Sequence, residues 1–422
     1  MTTVQELPAD DGVNAAASYV ARRIVTLAGP PLDGGCIVVQ GGKIAAVGPR
    51  RIATGRVVDL GDALIAPGFV NAHTHLEFSG LTKPLGTAGM NFASWLREVI
   101  AFRREGPFDP QPAVVAGLQE SLAAGVTTVG EIASTVPRQL FERPPRGPNV
   151  TAFMELIGLS ESRAVAKLAS LDEFLAAGDA AGVRRGISPH APYTVRPSLV
   201  ESAVARSTEQ GVPLAFHLAE SPEELELLRD GTGPLVDLLR EIGAWDATAI
   251  PPKSRPLDYL KTLSGAPRTL LIHGNYFADD EIDFLAAQAD RMTTVYCPRT
   301  HAYFGHARHP LEKLLAAGAA VAVGTDGRCT NPDLDLRAEL RCLHRTFPNL
   351  SSERIVRLGT FDGAWALGVE RDVGTLEVGK QADFVVVAEV PDESDPYAAL
   401  LDERAVLLRT VVAGQSRIEF IR

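Results

Sequence analysis

An α/β fold, a (β/α)8 barrel of the TIM type with a small β-sandwich domain formed from both chain termini, is what the sequence predicts, on three observations. From about residue 64 to residue 366, short apolar β-type runs alternate with helix-period segments, the pattern of βα units around a parallel sheet. The two ends of the chain lack that alternation and read as short strands separated by turns. Histidines and an aspartate recur at the C-terminal ends of the candidate strands, the face on which such a barrel builds its active site. Residues 1–63 and 371–422 therefore read as two parts of one small β domain, and residues 64–370 as the barrel.

In chain order, the first β unit comprises Tyr19 to Thr26, Gly35 to Gln40, Lys43 to Val47 and Val57 to Asp59, punctuated by Gly-Pro-Pro and Gly-Gly turns. Eight candidate barrel strands follow: Leu64 to His73, Val126 to Ile132, Val150 to Ile157, Arg185 to Ser188, Leu214 to Leu218, Thr269 to His273, Thr293 to Cys297 and Ala320 to Thr325. Helices are predicted between them at Phe92 to Arg103, Pro112 to Ala124, Leu199 to Glu209, Glu223 to Arg229, Asp279 to Gln288 and Leu311 to Ala317. The segment Ser221 to Arg268 exceeds what one helix requires. It reads as helix, loop and second helix over one side of the barrel, where long insertions commonly select substrate. Strands return at Ala382 to Val387, Val406 to Ala413 and Arg417 to Phe420.

The chain has 422 residues, 45% apolar and 22% charged, ample for one large domain and a smaller one. A net charge of −11 without any basic run argues against nucleic acid or an anionic membrane surface as partner. The four cysteines show no Cys-x-x-Cys spacing, so neither a disulfide framework nor a cysteine zinc finger is indicated. A reducing cytoplasm is the expected location. Met1 to Asp11 does not read as a secretion signal, and no apolar run is long enough for a bilayer.

His73 and His75 are two positions apart on a predicted strand, so both side chains leave from one face and can converge on one ion. His190 ends the fourth strand, His217 the fifth, His273 the sixth and Asp326 the eighth. Imidazole nitrogens with a carboxylate oxygen suit a borderline divalent ion such as zinc, and His73, His75, His217 and Asp326 make a sufficient set with a position left for water. An ion so held can lower the pKa of its water to about 7. Glu220, three residues after His217, stands at the rim, where a carboxyl can pass protons between water and substrate. Ser221-Pro222-Glu223-Glu224 beside it also reads as a helix start, so the acid has a purely structural interpretation as well.

Taken together, Ala66-Pro67-Gly68-Phe69-Val70-Asn71-Ala72-His73-Thr74-His75, His217-Leu218-Ala219-Glu220, Leu271-Ile272-His273-Gly274, Gly324-Thr325-Asp326 and the segment Val373 to Asp383 resemble the amidohydrolase superfamily over nearly the whole chain. More narrowly they are similar to its deaminase branch, which includes cytosine deaminase, S-adenosylhomocysteine/methylthioadenosine deaminase and aminodeoxyfutalosine deaminase. The resemblance implies one zinc or iron ion held by His73, His75, His217 and Asp326. It implies further that Glu220 shuttles protons, that His273 steers water without ligating, and that His190 contacts the nucleoside part of a substrate. A homodimer is the corresponding family habit. Two-metal relatives use a carboxylated lysine near the third or fourth strand end, and neither segment here has a lysine. The His-x-Glu and Pro-Cys-x-x-Cys signature of the zinc nucleic-acid deaminases is absent as well.

The expected activity is hydrolytic deamination of an aminated heterocycle, a 6-aminopurine nucleoside derivative of the 5′-modified adenosine or aminodeoxyfutalosine type. Two alternatives stand beside it: hydrolysis of a ring amide or a triazine by the same apparatus, and a non-catalytic binding protein on the same fold. Trp95 is a candidate for stacking on a base. After the seventh strand Arg299-Thr300-His301 stands where relatives carry a different pattern, and Gly327-Arg328-Cys329-Thr330 follows Asp326. Arg299 and His301 are therefore the expected substrate-selecting residues on that side.

Overall fold

The computed structural model of the chain describes residues 4–5, 15–105, 109–135, 147–388 and 394–420. Eight parallel strands pair in chain order: Phe69–Thr74, Val126–Ala133, Asn149–Leu156, Val183–Pro189, Leu214–Leu218, Thr269–His273, Met292–Tyr296 and Ala320–Val323. Their residues are almost all buried, as expected of a parallel sheet covered by helices. A bridge between Thr74 and Asp326 brings the eighth strand's end to the first, and the Asp326 N–H donates to the His73 carbonyl at 3.1 Å. The closure of the barrel therefore runs through two of the candidate metal ligands. The helix Phe361–Leu367 touches the first, sixth and eighth strands. Its Ala364 and Leu367 join Val70, Ile132, Phe153, Ala215 and Val295 in one apolar cluster.

The small β domain is one continuous sheet of nine strands drawn from both termini. Its seam is Ala63–Pro67, which pairs antiparallel with Phe384–Ala388 and parallel with Ala17–Ile24. Alternation of side chains gives this strand two tasks. Ile65 packs with Ile24, Ile37 and Phe384 inside the terminal domain, while Leu64 and Ala66 join the cluster that surrounds the barrel.

The run expected as one strand, Leu64 to His73, is thus two strands in different sheets. The break is at Gly68, where a side chain would place its Cβ 2.2 Å from the Thr127 hydroxyl, and where the N–H donates to the Asp383 carbonyl. The insertion after the fifth strand also differs from expectation: it holds three helices, Pro222–Asp230, Pro234–Glu241 and Pro256–Leu263. Each starts with proline at its first turn, and Gly231 in the left-handed region ends the first of them.

Candidate functional site

The strand ends bring together His73, His75, His217, His273 and Asp326. His73 Nε2 and His75 Nε2 lie 3.6 and 3.7 Å from Asp326 Oδ1, and His75 Nε2 lies 3.3 Å from His217 Nε2. The backbone holds this geometry in conformations that side-chain-bearing residues rarely adopt. His273 and Asp326 have φ of 74° and 59°, and Ala219, beside Glu220, has 55°. Gly324 allows the close approach of the first and eighth strands, since a Cβ there would stand 2.8 Å from that of His73.

The donors suit a divalent cation. Two overlapping groups, His73 with His75 and Asp326 and His73 with His217 and His273, each have ligand atoms within 4.8 Å of one another. Both ring nitrogens of His73, and Nδ1 of His75, are buried without a hydrogen-bond partner among the described residues. Unpaired buried polar atoms are costly, so their convergence points to a ligand that is itself an acceptor of lone pairs. Burial keeps the rings neutral, as ligation requires: it lowers His73 and His75 well below the ordinary value and His217 to about 4. The His217 Nδ1 faces the His190 carbonyl at 3.0 Å, which leaves Nε2 for the cluster.

Glu220 sits beside this cluster with its Oε1 3.3 Å from His273 Nε2. Burial, then the charges of Asp326 and Glu224, push its carboxyl well above the usual range. Its backbone is clamped. Glu224 accepts from the Ala219 and Glu220 N–H groups at 2.8 and 3.0 Å, and the Asn275 amide donates to the Glu220 carbonyl at 2.9 Å. Ser221 caps the helix Pro222–Asp230, so the helix start read from the sequence is present, and Glu220 immediately precedes it.

A cavity of about 210 Å³ opens above these groups. One wall is the helix Phe92–Arg104, contributing Trp95, Leu96, Val99 and Ile100; the facing wall is the insertion, contributing Leu235, Leu238, Leu239 and Ile242. Trp95 lines the cavity while packing on Phe92 and Phe304. His190 lines it too, with Nδ1 bonded to the Thr194 hydroxyl at 2.7 Å.

Arg299 and His301 do not reach the cavity. The Arg299 guanidinium is bound by Glu339 at 2.6 Å and Asp333 at 2.7 Å, which turn it toward the helix Leu336–Thr346. His301 directs Nε2 to the Ala307 carbonyl at 2.8 Å and packs against Tyr296 and His306. Arg328 likewise turns away, to Glu120 at 2.7 Å. Carboxylates not singled out from the sequence support the mouth or face it instead. Glu131 accepts from the Leu76 N–H and the Thr74 hydroxyl, holding the turn that carries His75. Glu77 binds Arg103 and Ser134, and Glu155 faces the cavity from the third strand. The signal for Glu131 and Glu155 was present: a carboxylate inside a strand otherwise made of buried apolar and small residues.

Comparison with known proteins agrees with this architecture. The model of the amidohydrolase family matches residues 64–417. The 5-methylthioadenosine/S-adenosylhomocysteine deaminase of Moorella thermoacetica is 28% identical over 384 residues, covering 86% of this chain and 83% of the relative. The aminodeoxyfutalosine deaminase of Deinococcus radiodurans is 29% identical over 360 residues, covering 79% and 81%. Among solved structures, that of Helicobacter pylori aminofutalosine deaminase in complex with methylthio-coformycin superposes with a TM-score of 0.82 at 24% identity, covering 95% of this chain and 99% of that one, a likeness of fold. With most of its length matched by the family model and the strand-end donors in one cluster, this chain belongs to the amidohydrolase family.

Proposed function

We propose that the protein is a metal-dependent hydrolytic deaminase whose substrate is a 6-aminopurine nucleoside derivative with a modified 5′ position. The observation that carries this reading is Glu220: a buried carboxyl of raised pKa beside His273, at the edge of a convergent His/Asp donor set and open to a cavity with apolar walls. The curated relatives named above support the substrate class.

In this reading His73, His75, His217 and Asp326 would hold one divalent ion, zinc in preference to iron. Such an ion, when bound, acidifies water and stabilises negative charge on an attacking oxygen. Glu220 donates its proton to the ring nitrogen adjacent to the amino-bearing carbon, which makes that carbon electrophilic. As the water oxygen bonds to the carbon, Glu220 accepts the water's proton and passes it to the amino nitrogen. The carbon–nitrogen bond then breaks, ammonia leaves, and a ring carbonyl remains. His273, whose Nε2 lies 3.3 Å from Glu220 Oε1, orients the water beside that carboxyl. Trp95, Leu238 and their apolar neighbours keep bulk water out and hold the heterocycle and its 5′ substituent.

Glu220→Gln is expected to retain metal and fold while ammonia release falls by about a hundredfold or more. Initial rates of ammonia release, with metal content measured on the same samples, test it. Parental rates in the variant would reject the role of Glu220. Product analysis separates the triazine or ring-amide alternative, which yields chloride or a ring-opened acid.

A further inference from the structure

His273 is the last residue of the sixth barrel strand, and the chain leaves it in the left-handed region, with φ of 74° at His273 and 62° at Gly274. A histidine keeps that conformation only where its surroundings hold it. The peptide that joins the two residues is held at both ends. The Gly274 N–H donates to the Leu218 carbonyl at 3.1 Å, and the His273 carbonyl accepts from His309 Nε2 at 3.0 Å. Pairing with the seventh strand stops at Ile272 and Val295, and His309 supplies the donor beyond it.

A carbonyl oxygen can only accept, so Nε2 of His309 carries the proton of this bond whatever the state of the other ring nitrogen. His309 is 2% exposed, precedes the helix Leu311–Ala317 and stands behind the site, not on the cavity wall. Its ring lies flat on Tyr296 with centroids 3.8 Å apart, and its Nδ1 has no hydrogen-bond partner among the described residues. Stacking would be served as well by a phenyl ring, which buries no unpartnered nitrogen. What the imidazole adds at this position is the Nε2–H.

We propose that His309 is a positioning residue for the hydrolysis: its Nε2–H fixes the peptide after His273 and so aims the His273 ring, a role that rests on the deaminase reading above. The two backbone angles of His273 set the direction of its Cα–Cβ bond, and the ring so aimed lines the cavity with Nε2 3.3 Å from Glu220 Oε1. With the carbonyl released, the left-handed conformation loses its support and the ring can turn from Glu220. His309 touches no substrate, so its loss costs rate and not binding.

The test compares metal-loaded parent, His309→Phe, which keeps a ring on Tyr296 and loses the donor, and His309→Gln, which loses the ring and keeps an N–H. Ammonia release from adenosine gives kcat and KM, metal content and melting temperature are read on the same samples, and crystal structures report φ of His273. His309→Phe is expected to lower kcat by about tenfold or more with KM within about twofold, and to let His273 leave the left-handed region. His309→Gln is expected to hold kcat within about threefold of the parent, with His273 still left-handed. A Gln variant as impaired as the Phe variant, a Phe variant at the parental kcat, a raised KM in place of a lowered kcat, or a His273 left-handed in the Phe variant would each overturn the proposal. If the Phe variant does not fold, the Gln variant decides: near-parental kcat with His273 left-handed upholds the donor, and a kcat lowered about tenfold overturns it. A parent that releases no ammonia, with His273 displaced in the Phe variant and kept in the Gln variant, would uphold the clamp and reject deamination.

Discussion

Burial around the strand-end histidine and aspartate cluster forces individual carboxylates to be either clamped or reactive. Glu224 is clamped by the two N–H groups it accepts, and burial raises it from 4.5 to about 7. A carboxyl raised on folding binds more protons in the folded than in the unfolded chain. Its contribution to stability is full below the unfolded value, near 4.5, and is lost as pH rises through about 7. Glu224→Gln cannot titrate, so the stability of the parent relative to this variant should fall between pH 5 and pH 8, as read by urea unfolding at both. An unchanged difference would contradict the assignment. At this scale the sequence was informative where a residue type is rare in its setting. His73, His75, His217, His273 and Asp326 stood out because strand ends are few and the barrel gathers them at one mouth. Arg299 and His301 misled because a departure in sequence does not reveal where a long side chain turns, and Glu339 and Asp333 were far off in the chain.

The helix Pro234–Glu241 illustrates what an inserted element contributes. It presents Leu235, Leu238 and Leu239 to the cavity, and Ile242 just after it lies beside the same space, facing the helix Phe92–Arg104. Ile242→Ala removes apolar surface from the cavity wall, which in the proposed reading meets the 5′ substituent, while leaving Glu220 and the strand ends intact. KM for a substrate with a bulky 5′ group should rise about tenfold with kcat within about twofold, from initial-rate kinetics. A fall in kcat at unchanged KM would place Ile242 in the chemistry instead. The insertion's length was legible in the sequence, but its middle helix was not. The single-helix period between Pro234 and Glu241 is only eight residues and is bounded by glycine and proline, which masks it as loop.

Across the whole molecule, two sheets share one short stretch of chain, and the joint is polar. Asp383 accepts from the Ala413 N–H at 2.7 Å and the Asn149 amide at 2.9 Å, while its carbonyl accepts from Gly68 at 3.0 Å. The terminal sheet is thereby fixed to the third barrel strand and to the residue where the chain passes from one sheet to the other. Asp383→Ala takes the acceptor from the Ala413 N–H and the shortest of its contacts from the Asn149 amide, and should lower unfolding free energy by about 2 kcal/mol, measured by urea denaturation, with catalysis near parental in the folded fraction. The barrel was legible from the alternation of apolar runs with helix-period segments, and the two-ended β domain from the short strands and turns at the chain ends. The split of Leu64 to His73 was not, because the apolar run is continuous and only the contacts of Gly68 with Thr127 and Asp383 assign its halves to different sheets. Among the described residues no helix is long and apolar enough to cross a membrane.

The cluster, the carboxyl beside it and the apolar cavity converge on one reaction, so the most direct measurement is ammonia release from 5′-methylthioadenosine by the metal-loaded protein. Ammonia equal to the adenine nucleoside consumed, abolished by chelation and restored by a single equivalent of zinc, is the expected result. A metal-loaded protein that releases no ammonia from this substrate, adenosine or aminodeoxyfutalosine would contradict the assigned chemistry.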